Sequence, residues 1–455
     1  MEIKVRFAWR CWPVLACMVA PLAAELACTG DDPVLSRVSS DAGTLSDVGA
    51  IDSGSEAAPP VLPLKADRIA SITIGGAAAC VITRDDKALW CIGRVEEGEN
   101  LRAPTTGDIQ CKGNNVSLWR GSPRFEHIPI GPVDQVAVSL RSRCVIQSGK
   151  IRCWGGNRVG ELGHTAGTAG DVECGTNLTC NSTPQEPVNL PSGVSFVEIV
   201  AGNRAFCART AEGGVFCWGD NLSSQTAAPA SPTTLPHPVD LGGARASALA
   251  MGLSSSCAAL QPSGVMCWGA NAVMGDDAGA TVAFPRRVAA ANGVQVRELD
   301  VNDRGGCVLN LGTGASPLCW GNNGSGLLAG SPVADGSRIV SEIPGGAAEL
   351  HVGELGAAVR IGSAVWTWGE GRRGGLANGE LTDGGGVPPA ARPPLDGASR
   401  IAFGFEKNGM AIRGNEVLAW GPNTCGQLGH APGVGDVVCE RNDPCSPVPV
   451  VVPLP

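Results

Sequence analysis

The stretch Cys144–Gly163, CVIQSGKIRCWGGNRVGELG, contains the pattern on which the fold prediction depends, because versions of it recur along most of the chain. Strand-forming residues on each side of Ser148-Gly149 predict two short strands joined by a turn. Cys144 and Cys153 stand on these two strands. The second strand is followed by Trp-Gly, one variable position, Asn and a stretch that ends in Gly-Glu-Leu-Gly. The stretch therefore predicts a β-hairpin and then a glycine-rich turn.

Seven copies of this pattern can be aligned on the glycine of Trp-Gly, and successive copies lie 62, 64, 50, 52, 48 and 52 residues apart. Six copies keep the tryptophan, and the first has Ile92 in its place. A period of this length indicates supersecondary units that stack on one another, since one unit cannot bury its own apolar face. The aligned glycines are Gly93, Gly155, Gly219, Gly269, Gly321, Gly369 and Gly421.

Two copies, CAALQPSGVMCWGAN at 257–271 and WGPNTCGQLG at 420–429, carry a family resemblance. They are similar to the regulator of chromosome condensation repeat, and the resemblance covers residues 64–455. It implies an all-β fold, a seven-bladed β-propeller. The residues of the third copy agree, because they predict four short strands at 194–201, 205–210, 214–218 and 237–241, which is one propeller blade. No helix of consequence is expected.

Residues 1–28 are predicted to be a signal peptide, with a basic start and an apolar run, Cys11–Ala24, that is short for a membrane span. The local sequence LACTGDD resembles a bacterial lipoprotein cleavage site, which would leave Cys28 as the lipid-bearing first residue. Glu25 departs from that pattern, so free secretion stays open. We expect an exported protein of a bacterial cell envelope, either lipid-anchored or secreted.

Residues 29–63 carry several acidic residues among Gly, Ser, Ala and Pro, with no aromatic residue, and predict a flexible acidic linker. The propeller should occupy residues 64–455. The residues before the first repeat glycine and after the last together match one long repeat in length. We therefore expect the last strand, 448–452, to join the N-terminal segment in completing a blade, which leaves no exposed sheet edge.

Five repeats carry a cysteine on each strand of the hairpin, and repeats six and seven lack both. Directly opposite residues of an antiparallel pair lie close enough for a disulfide, and an exported chain is oxidised. Zinc is the rival interpretation, but the spacings are not those of zinc knuckles. The predicted disulfides are Cys80–Cys91, Cys144–Cys153, Cys207–Cys217, Cys257–Cys267 and Cys307–Cys319.

Three repeats carry a related insert, GDIQC at 107–111, GDVEC at 170–174 and GDVVC at 435–439. Two inserts hold a second cysteine, which predicts the pairs Cys174–Cys180 and Cys439–Cys445. Cys111 and Cys425 are left over, and either a bond between them or two free thiols is compatible with the sequence. The inserts belong to repeats seven, one and two, which are consecutive around a closed ring, so they should form a contiguous rim on one face.

This rim is the predicted binding surface, because long loops in a compact ring are usually functional. Tolerated insertion without a role is the alternative. Trp119 and Phe125 are included as aromatic residues that fall outside the repeat pattern. The candidate binding residues are Asp108, Trp119, Phe125, Asp171, Glu173, Asp436, Arg441 and Asp443.

Nothing in the sequence supports catalysis, a metal site or a cofactor. The five histidines show no metal-ligand spacing, and His164 and His430 occupy equivalent turn positions. The net charge of −9 argues against a nucleic-acid partner. The nuclear member of the resembled family is a nucleotide exchange factor for a small GTPase, a role that an exported chain would not meet.

We therefore predict a monomeric, non-catalytic propeller that binds a protein or another envelope macromolecule and touches the membrane only through its N-terminal lipid. An inhibitor of a secreted enzyme is one alternative, since a secreted member of the resembled family inhibits β-lactamases with one propeller face. An envelope hydrolase or lyase on a propeller is the other. A cluster of Asp, Glu and His at one mouth of the central channel would favour that enzyme.

Overall fold

The computed structural model describes residues 62–112, 119–175, 178–228, 233–274, 281–312, 316–329, 336–354, 356–382, 386–404 and 407–455. The predicted signal peptide, Cys28 and nearly all of the predicted linker lie outside these residues. Within the described part of the chain, no helix combines the length and the apolar character needed to cross a membrane.

Seven antiparallel sheets follow one another along the chain, one for each repeat, as the sequence predicted. Blade 1 contains β1 (Ile69–Gly75), β2 (Ala78–Thr83), β3 (Leu89–Arg94), β4 (Ile109–Gln110) and β5 (Arg120–Ile128). Blade 2 contains β6 (Gln135–Val138), β7 (Ser142–Gln147), β8 (Lys150–Gly156), β9 (Val172–Gly175) and β10 (Leu178–Gln185). Blade 3 contains β11 (Phe196–Ala201), β12 (Ala205–Thr210), β13 (Val215–Asp220) and β14 (Thr233–Pro238).

The second half of the ring repeats this plan. Blade 4 contains β15 (Arg245–Met251), β16 (Ser255–Gln261), β17 (Val265–Ala270) and β18 (Thr281–Arg287). Blade 5 contains β19 (Val296–Asn302), β20 (Gly305–Asn310), β21 (Leu318–Gly321) and β22 (Gly336–Ile339). Blade 6 contains β23 (Ala347–Val352), β24 (Gly356–Ile361), β25 (Ala364–Gly369) and β26 (Val387–Ala391). Blade 7 contains β27 (Ala398–Phe403), β28 (Gly409–Arg413), β29 (Glu416–Pro422), β30 (Val437–Val438) and β31 (Pro444–Val452).

The first strand of every blade lines a central channel, and the second and third strands follow outward in chain order. In the described part of the chain, blades 3 to 6 have the four predicted strands, and blades 1, 2 and 7 have a fifth, β4, β9 or β30, at the outer edge. Helical structure is limited to short 3₁₀ turns in the described residues: Ala66–Arg68, Asn271–Met274, Ala289–Ala291, Pro393–Leu395 and Glu440–Asn442.

The five predicted hairpin disulfides are present. In each, the two cysteines lie directly opposite one another on the second and third strands of the blade. Their Cα atoms are 4.0 to 4.1 Å apart. This is the short distance of a non-hydrogen-bonded antiparallel pair, which explains why the symmetric spacing about the turn was informative.

The repeat tryptophans join each blade to the blade before it. Each indole Nε1–H donates to a backbone carbonyl in the preceding blade's turn at 2.8 to 2.9 Å. The six side chains are at most 1 % exposed. The glycine after each tryptophan has a φ between 90° and 121°, which other residues adopt only with strain. The bonds run from Trp154 to Glu99, Trp218 to Glu161, Trp268 to Gln225, Trp320 to Val273, Trp368 to Leu327 and Trp420 to Gly375.

The predicted mode of ring closure is wrong. Strand β31 pairs with β29 and β30 inside blade 7, and β1 pairs with β2, so no blade of the described residues combines strands from both ends of the chain. Blade 7 obtains all five strands from 398–452 and needs none from the N-terminus. The ends meet through side chains instead, since Leu64 and Ala66 share a buried cluster with Met410 and Val452.

Candidate functional site

The inserts of blades 7, 1 and 2 lie between the third and the outermost of the four main strands, at equivalent places in three consecutive blades. Each contributes a fifth strand at the outer edge of its sheet: β30, β4 or β9. We call the inserts 435–439, 107–111 and 170–174, with the turns that precede them, the insert arc. The sequence prediction that they are neighbours on one face agrees with this topology.

An aspartate holds each insert of the arc together. In blade 2, Asp171 Oδ1 lies 2.8 Å from His164 Nε2, and its Oδ2 accepts hydrogen bonds from Asn157 Nδ2 at 2.7 Å and the Gly167 N–H at 3.0 Å. The Asp171 side chain has no exposed surface. It therefore braces its own loop, and does not face a partner.

Blade 7 repeats this arrangement. Asp436 Oδ1 lies 2.9 Å from His430 Nε2, and Asp436 Oδ2 accepts from Asn423 Nδ2 at 2.9 Å and from the Gly433 N–H at 2.7 Å. Its side chain is 1 % exposed. The sequence analysis interpreted His164 and His430 as equivalent positions of a repeated turn. Each histidine contacts the aspartate of its own insert, which explains why both turns carry a histidine there.

Blade 1 uses arginine where the other two inserts use histidine. Asp108 accepts from both terminal nitrogens of Arg102 at 2.6 Å and from the Thr105 N–H at 2.6 Å. Arg102 also donates to Glu126. Bonding to Arg102 and to the Thr105 N–H holds the pKa of Asp108 below its ordinary value although burial opposes this. Asp108, Asp171 and Asp436 are therefore supporting residues, and the prediction that they form the binding surface needs this correction.

Aliphatic side chains face solvent on the outer strands of the arc. Val172 is 59 % exposed, Val437 45 % and Val438 69 %. The outermost strands of blades 3, 4 and 6 contain proline, which blocks pairing with another strand, whereas β4, β9 and β30 contain none. The arc thus combines exposed valines with unblocked strand edges on a braced framework.

The two predicted insert disulfides differ from one another. Cys439 and Cys445 are bonded, with Cα atoms 6.0 Å apart. Cys174 and Cys180 are free thiols, so the structure does not contain the predicted bond. Cys174 lies at a register irregularity of β9 and β10, opposite no residue, and its Sγ donates to the Leu178 carbonyl at 3.6 Å. The neighbouring Cys180 thiol, and burial, raise the pKa of Cys174.

The sequence allowed either a bond between Cys111 and Cys425 or two free thiols. The two cysteines are bonded, and their Cα atoms are 4.3 Å apart. The bond joins the insert of blade 1 to the turn of blade 7. The Lys112 N–H donates to the Thr424 carbonyl at 2.7 Å beside it. The arc is therefore continuous across the place where the ring closes.

Trp119 lies at this junction, packed against Cys111, Cys425 and Ala77. The guanidinium carbon of Arg94 is 3.8 Å from the Trp119 ring centroid, and that of Arg141 is 5.4 Å away. Both cations contact Glu97 Oε1, at 2.8 and 2.6 Å. Burial, and then the neighbouring Glu99, raise the pKa of Glu97. Trp119 is partly exposed above this charged layer, as a binding residue requires.

The other candidates have varied positions. Phe125 is 2 % exposed and packs in the core between blades 1 and 7, so its assignment to the binding surface is corrected. Asp443 is also buried, and it pairs with Arg373 of blade 6. Glu173 is exposed on β9. Arg441 lies in the 3₁₀ turn Glu440–Asn442, and its side chain is outside the described residues.

The central channel has a cavity of about 230 Å³ whose described lining contains one acid and one base, Asp300 and His351. His351 Nδ1 is 4.0 Å from Asp300 Oδ2. Asp300 accepts hydrogen bonds from the Val301 and Val352 N–H groups, and burial raises its pKa to about 7. Burial lowers the pKa of His351. No group of three or more metal-binding side chains occurs in the described part of the chain. The pair joins neighbouring inner strands, and Glu298 on the strand of Asp300 and Glu349 on the strand of His351 act on the two groups electrostatically.

Comparison with known proteins gives a family match within one blade. The regulator of chromosome condensation (RCC1) repeat matches residues 196–225, in blade 3. Alsin of Homo sapiens is 37 % identical over 70 residues, which is 15 % of this chain and 4 % of Alsin. Among solved structures, human WBSCR16 is similar with a TM-score of 0.60 and 19 % identity, over 80 % of this chain and 94 % of that chain. Prp20p from Saccharomyces cerevisiae has a TM-score of 0.45 and 17 % identity over 85 % and 77 %.

Proposed function

We propose that this chain, a seven-bladed propeller of RCC1 repeats, is a non-catalytic scaffold that binds a protein partner through the insert arc of blades 7, 1 and 2. It acts outside the cytoplasm, at a bacterial cell envelope, either held there by lipid on Cys28 or released. The observation that carries the proposal is the grouping of the inserts. Three braced inserts, two of which carry exposed valines, stand side by side in consecutive blades.

The rigidity of the arc supports binding. Each insert is fixed by its buried aspartate, and the arc is further held by the Cys111–Cys425 and Cys439–Cys445 bonds. A surface that is ordered before the partner arrives loses less conformational entropy on association. Exposed apolar side chains on such a surface gain free energy when a partner covers them.

The described acids of the arc and of the channel are engaged by groups of the propeller itself. The buried acids of the arc are engaged by their own loops, and Asp300 of the channel is held by backbone N–H groups. A general acid or base must instead reach a substrate. We therefore assign these groups to the framework of the propeller.

Site-specific photo-crosslinking in the producing cell tests the proposal. A photoreactive amino acid is placed at Val172 or Val437 of the arc, and at Phe284 or Ile339 of blades 4 and 5 as controls. All four side chains are between 45 % and 60 % exposed, so exposure alone does not separate them. We expect one protein, identified by mass spectrometry, to be linked from both arc positions and from neither control.

Two outcomes would contradict the proposal. Equal linking from Phe284 and Ile339 would place the contact elsewhere on the propeller. No linking from the arc, in cells where the same reagent links a known complex, would leave the inserts without a binding role. Cell fractionation of a Cys28→Ser variant tests the location separately, because loss of the lipid should move the chain from the membrane to the soluble fraction.

A further inference from the structure

We propose that the central channel holds a small aliphatic amine, with its ammonium group at Asp300 and its hydrocarbon chain against the apolar part of the channel wall. This site is separate from the insert arc, and the inference does not rest on the proposed function. It follows from the way in which the seven first strands surround one cavity.

Seven equivalent positions, one on each first strand, line this cavity. Each lies directly opposite the first hairpin cysteine of its blade, or the residue that replaces this cysteine in blades 6 and 7. We call these positions the channel tier. Five of them carry side chains that do not ionise, whereas blades 5 and 6 carry an acid and a base side by side. In chain order the tier consists of Thr73, Ala137, Val200, Ala250, Asp300, His351 and Ala402.

Asp300 adds a second link to a junction that already has one. Glu298, two residues before the tier, accepts a hydrogen bond from the Leu350 N–H of the next blade at 2.8 Å. Asp300 accepts one from the Val352 N–H of the same blade, also at 2.8 Å. Other described junctions have one link of this type from the position of Glu298. These are Gln135 to Ile199, Glu198 to Leu249 and Glu349 to Ile401.

Asp300 keeps capacity for a further hydrogen-bond donor. Its two oxygens accept from the Val301 and Val352 N–H groups at 2.9 and 2.8 Å, and a carboxylate offers about four acceptor sites. Its side chain is 25 % exposed, and that of His351 is 27 % exposed, in the cavity that both line. The protein around the cavity excludes most other solvent, so burial raises the pKa of Asp300 to about 7. A cation in the cavity would therefore stabilise a carboxylate that water solvates poorly.

The chemistry of the pair favours an organic cation over an anion or a metal ion. Burial lowers the pKa of His351, so its ring is neutral at pH 7 and does not attract an anion. Metal ions in proteins usually need more ligands than two, and no group of three or more metal-binding side chains occurs in the described residues. An ammonium group instead donates several hydrogen bonds and can be held by one carboxylate.

The rest of the described lining carries no charge and is mostly aliphatic. It includes Ile74, Val138, Met251, Val352 and Phe403. The cavity of about 230 Å³ lies below the range of roughly 300 to 1,000 Å³ that is typical for drug-sized ligands. Burial of hydrocarbon against these side chains adds to the free energy of binding. The geometry therefore suits one short hydrocarbon chain that ends in an ammonium group.

Calorimetric titration of the full chain with n-hexylamine tests this inference. Hexanoate and 1-hexanol have the same number of carbon atoms and serve as the anionic and neutral comparison ligands. We expect saturable binding of hexylamine, and binding of the other two that is about tenfold weaker. Asp300→Asn should weaken hexylamine binding by about tenfold, the typical contribution of a hydrogen bond to a charged group. Glu198→Gln removes an equivalent carboxylate link outside the cavity lining and should leave the affinity unchanged.

The pH dependence identifies the group that binds the amine. Because an ammonium group selects the ionised form of Asp300, the affinity for hexylamine should rise about tenfold from pH 6 to pH 8. This rise should be absent from Asp300→Asn. The charged groups on the strands packed against Asp300 are Arg297 and Glu298 on its own strand, Arg245 on β15, and Glu349 and His351 on β23. A rise that persists in Asp300→Asn would assign the titration to one of these groups and overturn the inference.

Val200→Phe tests the cavity while Asp300 stays intact. Val200 lines the cavity from blade 3, so the larger ring should narrow it and weaken hexylamine binding more than propylamine binding. Circular dichroism and thermal unfolding show whether each variant is folded. No binding of hexylamine by the parent chain, equal affinity for hexanoate, or unchanged hexylamine binding in folded Asp300→Asn would each overturn the inference. Equal effects of Val200→Phe on the two amines would place the amine outside the channel.

Discussion

Six of the seven blade junctions differ from the one that closes the ring. In the six, a buried tryptophan donates its indole N–H to a carbonyl of the preceding blade's turn. At the closing junction, Ile92 stands at that position, and the disulfide Cys111–Cys425 crosses from blade 1 to blade 7. The tryptophan contacts of the six repeated junctions are noncovalent and nearly identical, whereas the closing junction has a disulfide between side chains.

The difference follows from chain connectivity. Adjacent blades elsewhere are joined by a short stretch of backbone, so a tryptophan contact only has to orient two tethered units. The blades at the closing junction are 314 residues apart at the bridged cysteines, and bringing them together costs far more loop entropy. A disulfide offsets this entropy cost. It also holds the two cysteines together in the unfolded chain, so less entropy is lost on folding.

The largest expected effect comes from removing the closing bond. Cys111→Ala/Cys425→Ala should lower the free energy of unfolding by about 4 kcal/mol, because the enclosed loop is long. Denaturant unfolding under oxidising conditions measures this. The matched control is Cys257→Ala/Cys267→Ala, which removes an equally buried bond with a sequence separation of 10 and should cost about 2 kcal/mol. Equal losses would mean that ring closure does not depend on the bond.

Removing a tryptophan contact should have the next largest effect. Trp320→Phe leaves a cavity and deprives the buried Val273 carbonyl of its donor at 2.8 Å, and should cost about 3 kcal/mol. Trp119→Phe is the control, since Trp119 makes no contact of this type among the described residues. The comparison between junctions would have to be abandoned if Trp320→Phe were as stable as the parent chain in thermal unfolding.

A smaller effect concerns pH. Glu161 lies in the turn that accepts from Trp218, and burial raises its pKa to about 7. A carboxyl whose folded pKa is raised stabilises the fold when protonated, and this contribution is lost as pH rises from about 4.5 through 7. Between pH 5 and pH 8 the loss should be about 2 kcal/mol.

The equivalent residue at the closing junction is Gln427, which cannot ionise. Glu161→Gln should therefore remove this part of the pH dependence, and Gln427→Glu should add a similar dependence to the closing junction. Unfolding curves measured across this pH range for the three chains provide the check. Parallel pH profiles for the parent chain and Glu161→Gln would show that Glu161 titrates normally.

The fold could be predicted because its determinants are local and repeated. The tryptophans, the glycines after them and the hairpin cysteines recur at fixed offsets, and each copy confirms the others. The Cys111–Cys425 bond could not be predicted, because no pattern relates two single cysteines in different copies. Ring closure through a shared blade was predicted from lengths alone, and lengths do not show that the insert of blade 7 already supplies the fifth strand.

The insert arc was predicted in its place, whereas the role of its aspartates was not predicted. The shared inserts identified the arc, but the aspartates within them were taken for exposed charges, as acids in long loops usually are. The signal for their buried role was present, since His164, His430 and Arg102 precede them by six or seven residues. Phe125 was misassigned because blade 1 lacks the repeat tryptophan, so nothing in its sequence showed which face of β5 is buried.

The Cys111–Cys425 bond also affects how the molecule withstands damage to its backbone. The bond and the chain between the two cysteines form one covalent circle that contains most of the propeller. If a protease cleaves a loop anywhere between residues 111 and 425, the circle opens but the two fragments stay attached. The strands on both sides of the cut remain packed in their blades, so a nicked molecule can keep the insert arc in place.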